Sequence, residues 1–222
     1  MFQSYAYAYE SLSLTDGRVL WRGRPEGSIV VGPHAVYELG GYGALIARDA
    51  LTGATLWQYG DHDLFHAGVA SGEMVYVTAQ HSGTVTDGQG KLTNPETVYA
   101  LDAATGHLRW RFATQSGNYG TLLASANTIY VHADDGIHAL RVSDGTVRWH
   151  SDQQNNWTFF TPPPDAGPVI YVSALQILPS SAITFGPSKG QMYLYAVNEA
   201  DGTADWGVSV GPTVTIYPHW VL

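Results

Sequence analysis

Short runs in which apolar and polar residues alternate recur along the chain, and each has the length of a β-strand. Four of them centre on an aromatic residue and span residues 35–40, 74–79, 128–133 and 169–174. A short run of mostly small residues precedes each one, at residues 28–32, 67–72, 120–125 and 158–162. Alternation with a period of two residues is typical of strands. The pattern therefore predicts four pairs of strands, and we name the members of each pair A and B.

A motif of eleven residues follows each pair of strands, and a fifth copy lies near the start of the chain. The copies align without gaps at residues 11–21, 47–57, 100–110, 139–149 and 196–206. Each begins with a small residue, carries Thr-Gly or Asp-Gly at positions six and seven, and ends with Trp. Because glycine readily adopts positive φ, the Thr-Gly or Asp-Gly pair predicts a tight turn. Each motif is therefore predicted to be a β-hairpin of two further strands, C and D.

The recurring tryptophans and glycines of the motif are assigned structural roles. They are Trp21, Trp57, Trp110, Trp149 and Trp206, with Gly17, Gly53, Gly106, Gly145 and Gly202 in the turns. A lone four-stranded sheet cannot bury both of its faces, so repeated sheets stack on one another. We expect each indole to be largely buried between neighbouring sheets, close to the small residue and the turn of a neighbouring hairpin. Each indole N–H should find a hydrogen-bond acceptor.

Units of four antiparallel strands at a period of about 40 residues predict an all-β fold, a β-propeller of four-stranded blades. A β-sandwich is the alternative, but a sandwich gives no reason for Trp to recur at one position. The predicted domain is a single propeller over residues 1–222. It consists of a half blade at 1–21, complete blades at 22–57, 58–110, 111–149 and 150–206, and a closing strand at 207–222.

The two ends of the chain allow two arrangements. If the closing strand completes the half blade, a composite fifth blade closes the ring, no sheet edge stays open, and the chain is a monomer. The alternative is an open partial propeller, which is part of a longer one or is closed by a second chain as a homodimer.

The complete motif reads A-x-D-x-x-T-G-x-x-x-W, and residues 47–57 and 100–110 match it fully. The other copies carry Ser13, Arg141 and Asn198 at the Asp position. This motif resembles the tryptophan-docking repeat of the pyrroloquinoline-quinone (PQQ) enzyme-like propellers, and the resemblance covers essentially the whole chain. That family includes quinone-dependent dehydrogenases, scaffolds such as the outer-membrane barrel-assembly lipoprotein, and sensor domains fused to kinases. The resemblance thus implies the fold, leaves the function open, and implies an extracytoplasmic location.

Composition and charge narrow the partners of this globular chain. The net charge of −9, with no basic cluster, argues against nucleic acid and against anionic membrane surfaces as partners. No apolar run approaches the ~18–20 residues of a membrane span, and the first residues lack the pattern of a signal peptide. The absence of Cys excludes disulfides, thiolate zinc sites and Cys nucleophiles.

In antiparallel blades, the D-to-A and B-to-C loops share one face, which we call the insertion face, and the C-to-D turns lie on the opposite turn face. The two long insertions, residues 80–96 and 175–191, fall in B-to-C loops. The tight turns of the turn face are expected to leave no room for chemistry. Ligand-binding candidates therefore come from the D-to-A loops, and they are Asp61, His62, His66, Asn118, Tyr119, Asn155, Asn156 and Trp157. Converging on a central funnel, such groups suit a polar small molecule, a glycan or a peptide loop; alternatively, they only cap loop backbone.

Catalytic and metal-binding patterns are missing from the sequence. His62 and His66 are four residues apart, but in a loop that spacing does not bring them to one face, and no metal site is predicted. Acidic residues are dispersed, and neither a nucleophile elbow nor a phosphate-binding glycine loop is present. The quinone enzymes of the resembling family usually carry a disulfide of adjacent cysteines, which this chain cannot form. We therefore predict no cofactor and a non-catalytic binding or scaffold module that presents the insertion face to a protein or glycan partner. The alternative is a quinone-dependent dehydrogenase-like enzyme or a small-ligand sensor with its site in the funnel.

Overall fold

The computed structural model describes residues 9–24, 27–40, 44–60, 63–81, 85–86, 92–93, 96–114, 122–133, 136–151, 156–160, 167–177, 188–210 and 214–216. These residues form strands and turns without a helix, so none of them belongs to a helix that could span a membrane. The strands are β1 (Tyr9–Leu12), β2 (Val19–Gly23), β3 (Ile29–Val31), β4 (Ala35–Leu39), β5 (Leu45–Asp49), β6 (Thr55–Tyr59), β7 (Asp63–Ser71), β8 (Met74–His81), β9 (Val85–Thr86), β10 (Leu92–Thr93), β11 (Glu96–Asp102), β12 (Leu108–Ala113), β13 (Leu122–Ala124), β14 (Thr128–Ala133), β15 (Gly136–Arg141), β16 (Val147–Ser151), β17 (Asn156–Phe160), β18 (Val169–Ile177), β19 (Ser188–Asn198), β20 (Ala204–Ser209) and β21 (Val214–Ile216).

Four antiparallel sheets each contain four strands that follow one another from the first edge to the last. The first blade is β3–β6, the second is β7, β8, β11 and β12, the third is β13–β16, and the fourth is β17–β20. Strands β1 and β2 form a separate two-stranded sheet, the first hairpin, and β9 pairs with β10 inside the second blade's insertion. The all-β fold of four-stranded antiparallel blades is thus confirmed.

The A strands of neighbouring blades lie against one another, because β3 contacts β7, β7 contacts β13, and β13 contacts β17. Three apolar clusters fill the spaces between successive blades. Tyr37, Tyr76 and Tyr130 occupy the same position of the B strand in the first three blades, and all three are fully buried. The cores therefore lie between sheets, as expected for blades that stack face to face.

Each C-to-D hairpin has the same register, in which the small residue of the motif lies directly opposite the Trp. Ala47 pairs with Trp57, and Ala100 pairs with Trp110. A β-bulge follows the small residue in every copy, including the first hairpin. The bulge increases the local twist and aims the indole away from its own sheet.

Four motif tryptophans lie on the turn glycine of the next copy along the chain. The pairs are Trp21 with Gly53, Trp57 with Gly106, Trp110 with Gly145, and Trp149 with Gly202. A Cβ atom at any of these glycines would lie 2.5–2.7 Å from an indole carbon, so only glycine permits the contact. Each indole Nε1 donates a hydrogen bond of 2.8–3.0 Å to a backbone carbonyl of the same turn: Ala50, Ala103, Val142 or Glu199.

The fifth tryptophan departs from the expectation of burial. Trp110 and Trp149 are 8% and 9% exposed, whereas Trp206 is 47% exposed. The reason is that none of the described motif turns covers it. Its ring lies beside the tyrosine of its own blade, Tyr171, at a centroid distance of 5.9 Å.

The closing strand also differs from the prediction. Among the described residues β1 pairs only with β2, and β21 pairs with Ser188–Gly190 of β19. Strand β20 ends opposite Tyr193, and β21 continues along the same edge of β19. Pairing with the strand that the chain has just left closes a shorter loop than crossing to the first hairpin. The described part of residues 207–222 therefore extends the fourth blade, and the composite fifth blade stays a prediction, because residues 1–8 and 217–222 lie outside the described part of the chain.

Candidate functional site

The predicted funnel residues fall largely outside the part of the chain that the structure describes. Asp61, His62, Asn118, Tyr119 and Asn155 lie outside the described residues. Asn156 and Trp157 belong to β17, of which the backbone pairing is described. Of the eight candidates, the described side chains thus include only that of His66, and the funnel constellation stays a prediction.

His66 lies in a strand and not in the expected D-to-A loop. It is the bulged residue of β7, between Phe65, which pairs with Ala79, and Ala67, which pairs with Thr78. The side chain is half-buried, and burial lowers its pKa. Asp63 begins the same strand, and Asn156 and Trp157 likewise lie in a strand. Both A strands start earlier than predicted, and in β7 the reason is the bulge at His66, which interrupts the alternation of apolar and polar residues.

The insertion face is built partly from strands that continue beyond their blades. The pairing of β18 with β19 reaches Ile177 opposite Gly190, inside the interval predicted as a loop. The first insertion starts and ends as strand, with Gln80 opposite Glu96, and contains the β9–β10 hairpin. Alternation through Leu175, Gln176 and Ile177 was the sequence signal for this extension. Backbone hydrogen-bonding groups therefore project from this face on a rigid support.

The turn face is held together by aspartates that accept local hydrogen bonds, in two different ways. In the Thr-Gly copies the Asp at position three accepts: Asp49 receives the Thr52 hydroxyl at 2.8 Å and the Thr52 amide at 2.7 Å. In the third and fourth blades the Asp of Asp-Gly takes over, and Asp144 receives the Thr146 hydroxyl at 2.7 Å and its amide at 2.9 Å. These bonds lower the pKa of the aspartates. The aspartates thus stabilise turns.

Asp102 is the most perturbed of these carboxylates. The Arg109 guanidinium, 2.7 Å from its Oδ2, and the Thr105 hydroxyl lower the pKa of Asp102 to about 2. In the third blade Arg141 replaces the corresponding Asp, so Arg148, which matches Arg109 in the motif, has no such partner. Arg148 instead donates to the Thr128 hydroxyl at 2.6 Å.

A cleft opens beside Arg148, between the third and fourth blades on the turn face. Its volume is about 250 Å³, and Ser125, Asn127, Thr128, Arg148 and Glu199 supply its polar groups. This cleft lies beside the C-to-D turns, for which the sequence predicted no room for chemistry, and not within them. The tight turns themselves are closed, but the space between an A-to-B turn and the next C-to-D turn is not. The sequence signal was Arg141 at the Asp position, which leaves a neighbouring arginine without its carboxylate.

A buried polar group joins the first hairpin to the first blade. Tyr9 donates a hydrogen bond of 2.6 Å to Oε1 of Glu38, which is nearly inaccessible to solvent. Nε of Arg48 lies 2.9 Å from the other carboxylate oxygen without hydrogen-bond alignment, so this contact is an ion pair. Burial, and then the hydrogen bond to the carboxylate, raise the pKa of Tyr9. These contacts anchor the first hairpin to the first blade.

Within the described ranges, no cluster of three or more His, Asp or Glu side chains could hold a metal ion.

A comparison with protein-family models finds a match over residues 84–215, more than half of the chain. The matching family is described as outer membrane protein assembly factor BamB. The chain belongs to this family. The solved structure of BamB from Moraxella catarrhalis is 20% identical and covers 90% of this chain and 70% of that one, with a TM-score of 0.52. The resemblance to PQQ-like repeats is thereby confirmed.

Two further relatives show how widely the BamB-type fold is used. Quinohemoprotein alcohol dehydrogenase ADHIIG from Pseudomonas putida HK5 is 17% identical, with a TM-score of 0.60, over 93% of this chain and 40% of that one. The serine/threonine-protein kinase AfsK of Streptomyces griseus is 25% identical over 185 residues. That match covers 79% of this chain but only 20% of the kinase. Since an assembly factor and a dehydrogenase have this fold, and part of a kinase is similar in sequence, the fold alone does not decide between binding and catalysis.

Proposed function

We propose that the chain is a non-catalytic binding module that presents its insertion face to a protein partner outside the cytoplasm. The observation that carries the proposal is the extension of β18 and β19 beyond the fourth blade, paired as far as Ile177 and Gly190. Membership in a family named for outer membrane protein assembly supports both a protein partner and an extracytoplasmic location.

The two faces of the molecule differ in what they offer a partner. On the turn face, the motif turns bond to themselves through their own aspartates and threonines. On the insertion face, β21 occupies the outer edge of β19, but β18 beyond Leu175 and the two-stranded β9–β10 sheet carry edges that no described strand pairs. Such edges accept an added strand from another protein. Binding residues concentrate on segments supported by a rigid scaffold. A partner that recognises extended backbone therefore suits the insertion face.

The pairing register allows the insertions to be removed without breaking a blade. Gln80 lies opposite Glu96, and Ile177 lies opposite Gly190. An Asn-Gly turn can therefore replace residues 81–95 in one variant and residues 178–189 in another, because two-residue turns close such pairs. Leu51→Asp, at an exposed position of the turn face, is the matched control.

The test measures which envelope proteins each immobilised variant retains, by quantitative mass spectrometry. We expect the control to retain the same partner as the unaltered chain and at least one shortened variant to lose it, with all variants keeping their strand signal in circular dichroism. Retention of the same partner by both shortened variants would place binding elsewhere. Loss of the partner after glycosidase treatment would identify a glycan instead. A visible absorbance change with tight binding on adding PQQ and Ca²⁺ would reject the non-catalytic assignment.

A small-ligand sensor is the second candidate, and the cleft beside Arg148 together with the match to part of a kinase favours it. An arginine without a carboxylate partner among the described residues, next to hydroxyl and amide groups, suits a small anion. Thermal-shift measurements with organic acids and phosphate test this candidate. Stabilisation should disappear in Arg148→Ala and persist in Arg141→Ala, whose side chain bonds within its own turn. Equal responses of both variants would exclude the cleft.

A further inference from the structure

The first hairpin carries a turn that is formed for docking but holds no tryptophan. Gly17 has φ +71°, against +71° to +76° in the other four motif turns. Its amide bonds to the Ser13 carbonyl at 2.8 Å, as Gly53 does to Asp49 at 2.9 Å. Yet nothing lies within 4 Å of a Cβ built at Gly17. Leu14, whose carbonyl corresponds to the indole acceptors of the other turns, is fully exposed.

The fourth blade carries the matching tryptophan without a turn. Trp206 lies opposite Ala196 and beside Tyr171, as the motif tryptophans of the first three blades lie beside the alanine and tyrosine of their own blades. Its indole N–H has no acceptor in the part of the chain that the structure describes. Strand β20 is exposed along its whole length, and Val208 is exposed next to Trp206. An exposed apolar surface of this kind marks an interaction site.

We infer that Trp206 of one copy docks on the Gly17 turn of a second copy, so that the chain associates head to tail. The indole ring would cover Gly17, and its Nε1 would donate to the Leu14 carbonyl. The contact would repeat a geometry that the chain already makes four times internally. Because the two surfaces differ, the association is heterologous and produces rings or open chains of copies.

Charge does not oppose this contact, although the chain carries −9 in total. On the free side of the first hairpin, Glu10 is paired with Arg22 at 2.6 Å, and Asp16 lies 3.6 Å from Arg18. The surface around Gly17 is therefore close to neutral and carries the exposed Leu12 and Leu14. Strand β20 contributes one charged residue, Asp205. These two surfaces are largely neutral and apolar, so their contact does not bring together the acidic residues that give the chain its negative charge.

The test uses sedimentation equilibrium of the 222-residue chain over a wide concentration range. We expect the mass to exceed that of one chain as concentration rises. Trp206→Ala should weaken association at least about tenfold, because a Trp at the centre of an interface is a typical hot spot. Gly17→Asn should do the same, since Asn tolerates positive φ but places a Cβ where the indole must lie. Val31→Ala, at an apolar position of the first blade that is 69% exposed, should change nothing.

Mixing the two variants separates this contact from other modes of association. Trp206→Ala retains an intact turn, and Gly17→Asn retains an intact indole, so the mixture can form one joint and should give a dimer that grows no further. Association unchanged by either substitution, or a mixture that stays monomeric, would overturn the inference. The inference would also be overturned if the chain stayed monomeric and both substitutions lowered its thermal stability. That result would mean that Trp206 docks on Gly17 of the same chain.

Discussion

Truncation of an inner tryptophan tests whether the contact of each motif indole with the next turn, which we call a joint, holds the blades together. Trp110 is the best position, because it is buried, packs 5.8 Å from the Tyr76 ring and lies on Gly145. Its Nε1 also donates to the Val142 carbonyl at 2.8 Å. Trp110→Ala removes all three contacts and leaves a cavity between the second and third blades.

The expected cost follows from what this side chain touches. Truncating a buried Trp to Ala typically costs about 3–5 kcal/mol, from lost burial and the cavity left behind. Trp206→Ala removes the same side chain from the same motif position, but that side chain is 47% exposed and covers no glycine. Because Trp206→Ala leaves no cavity and removes only about half as much buried apolar surface, it should lower the free energy of unfolding by about 1–2 kcal/mol. The difference between the two variants isolates the joint.

Urea unfolding followed by far-ultraviolet circular dichroism measures both variants at a concentration where the chain is monomeric. A domain margin of about 5–15 kcal/mol means that Trp110→Ala should be severely destabilised and still folded at low temperature. Equal losses for Trp110→Ala and Trp206→Ala would show that docking on the next turn contributes nothing. Trp157→Ala, outside the motif, is predicted to leave stability nearly unchanged and to weaken any ligand bound in the funnel.

Three further substitutions probe other contacts. Gly106→Ala should lower the free energy of unfolding by about 2–4 kcal/mol, from the positive φ and the clash with the docked indole. Gly17→Ala should lower it by only about 1–2 kcal/mol, from the positive φ alone. Thermal unfolding measures both losses. The pKa of Asp102 is about 2 in the folded state and about 3.9 in the unfolded state. The ionised carboxylate therefore stabilises the fold above about pH 3.9, and this stabilisation is lost as the pH falls towards 2. Asp102→Asn should therefore flatten the acid limb of a stability–pH curve, and an unchanged limb would contradict this. Glu38→Gln should cost about 1–3 kcal/mol and speed hydrogen exchange in the first hairpin, because Tyr9 loses a charged acceptor and Arg48 loses its ion-pair partner.

The fold was predictable because the sequence repeats the physical units of the blade. A glycine at the one place where φ must be positive, and a Trp four residues later, define every C-to-D hairpin, as at Gly53 and Trp57. Two features escaped prediction because they depend on non-local pairing. The bulge at His66 interrupts the sequence pattern at the start of β7, and β21 pairs with the edge of β19 and not with the first hairpin.

The candidate site was less predictable, because a site depends on which side chains converge. Loop composition alone suggested the funnel residues, and composition says nothing about where a loop side chain points. The cleft beside Arg148 depends instead on one exchange within the repeat, the replacement of Asp by Arg141. Comparing repeat copies position by position, and asking which partner each exchange removes, would have indicated it.

The acceptor of each of the four docked indole N–H groups is a backbone carbonyl, and this has an evolutionary consequence. The residues that supply it are Ala50, Ala103, Val142 and Glu199, which range from small and aliphatic side chains to a carboxylate. A joint that requires only a glycine turn and a carbonyl fits any neighbour built on the same template. Blades can thus be duplicated, lost or exchanged between genes without matched changes on both sides of the joint, which gives such a chain an easy route to a different number of copies.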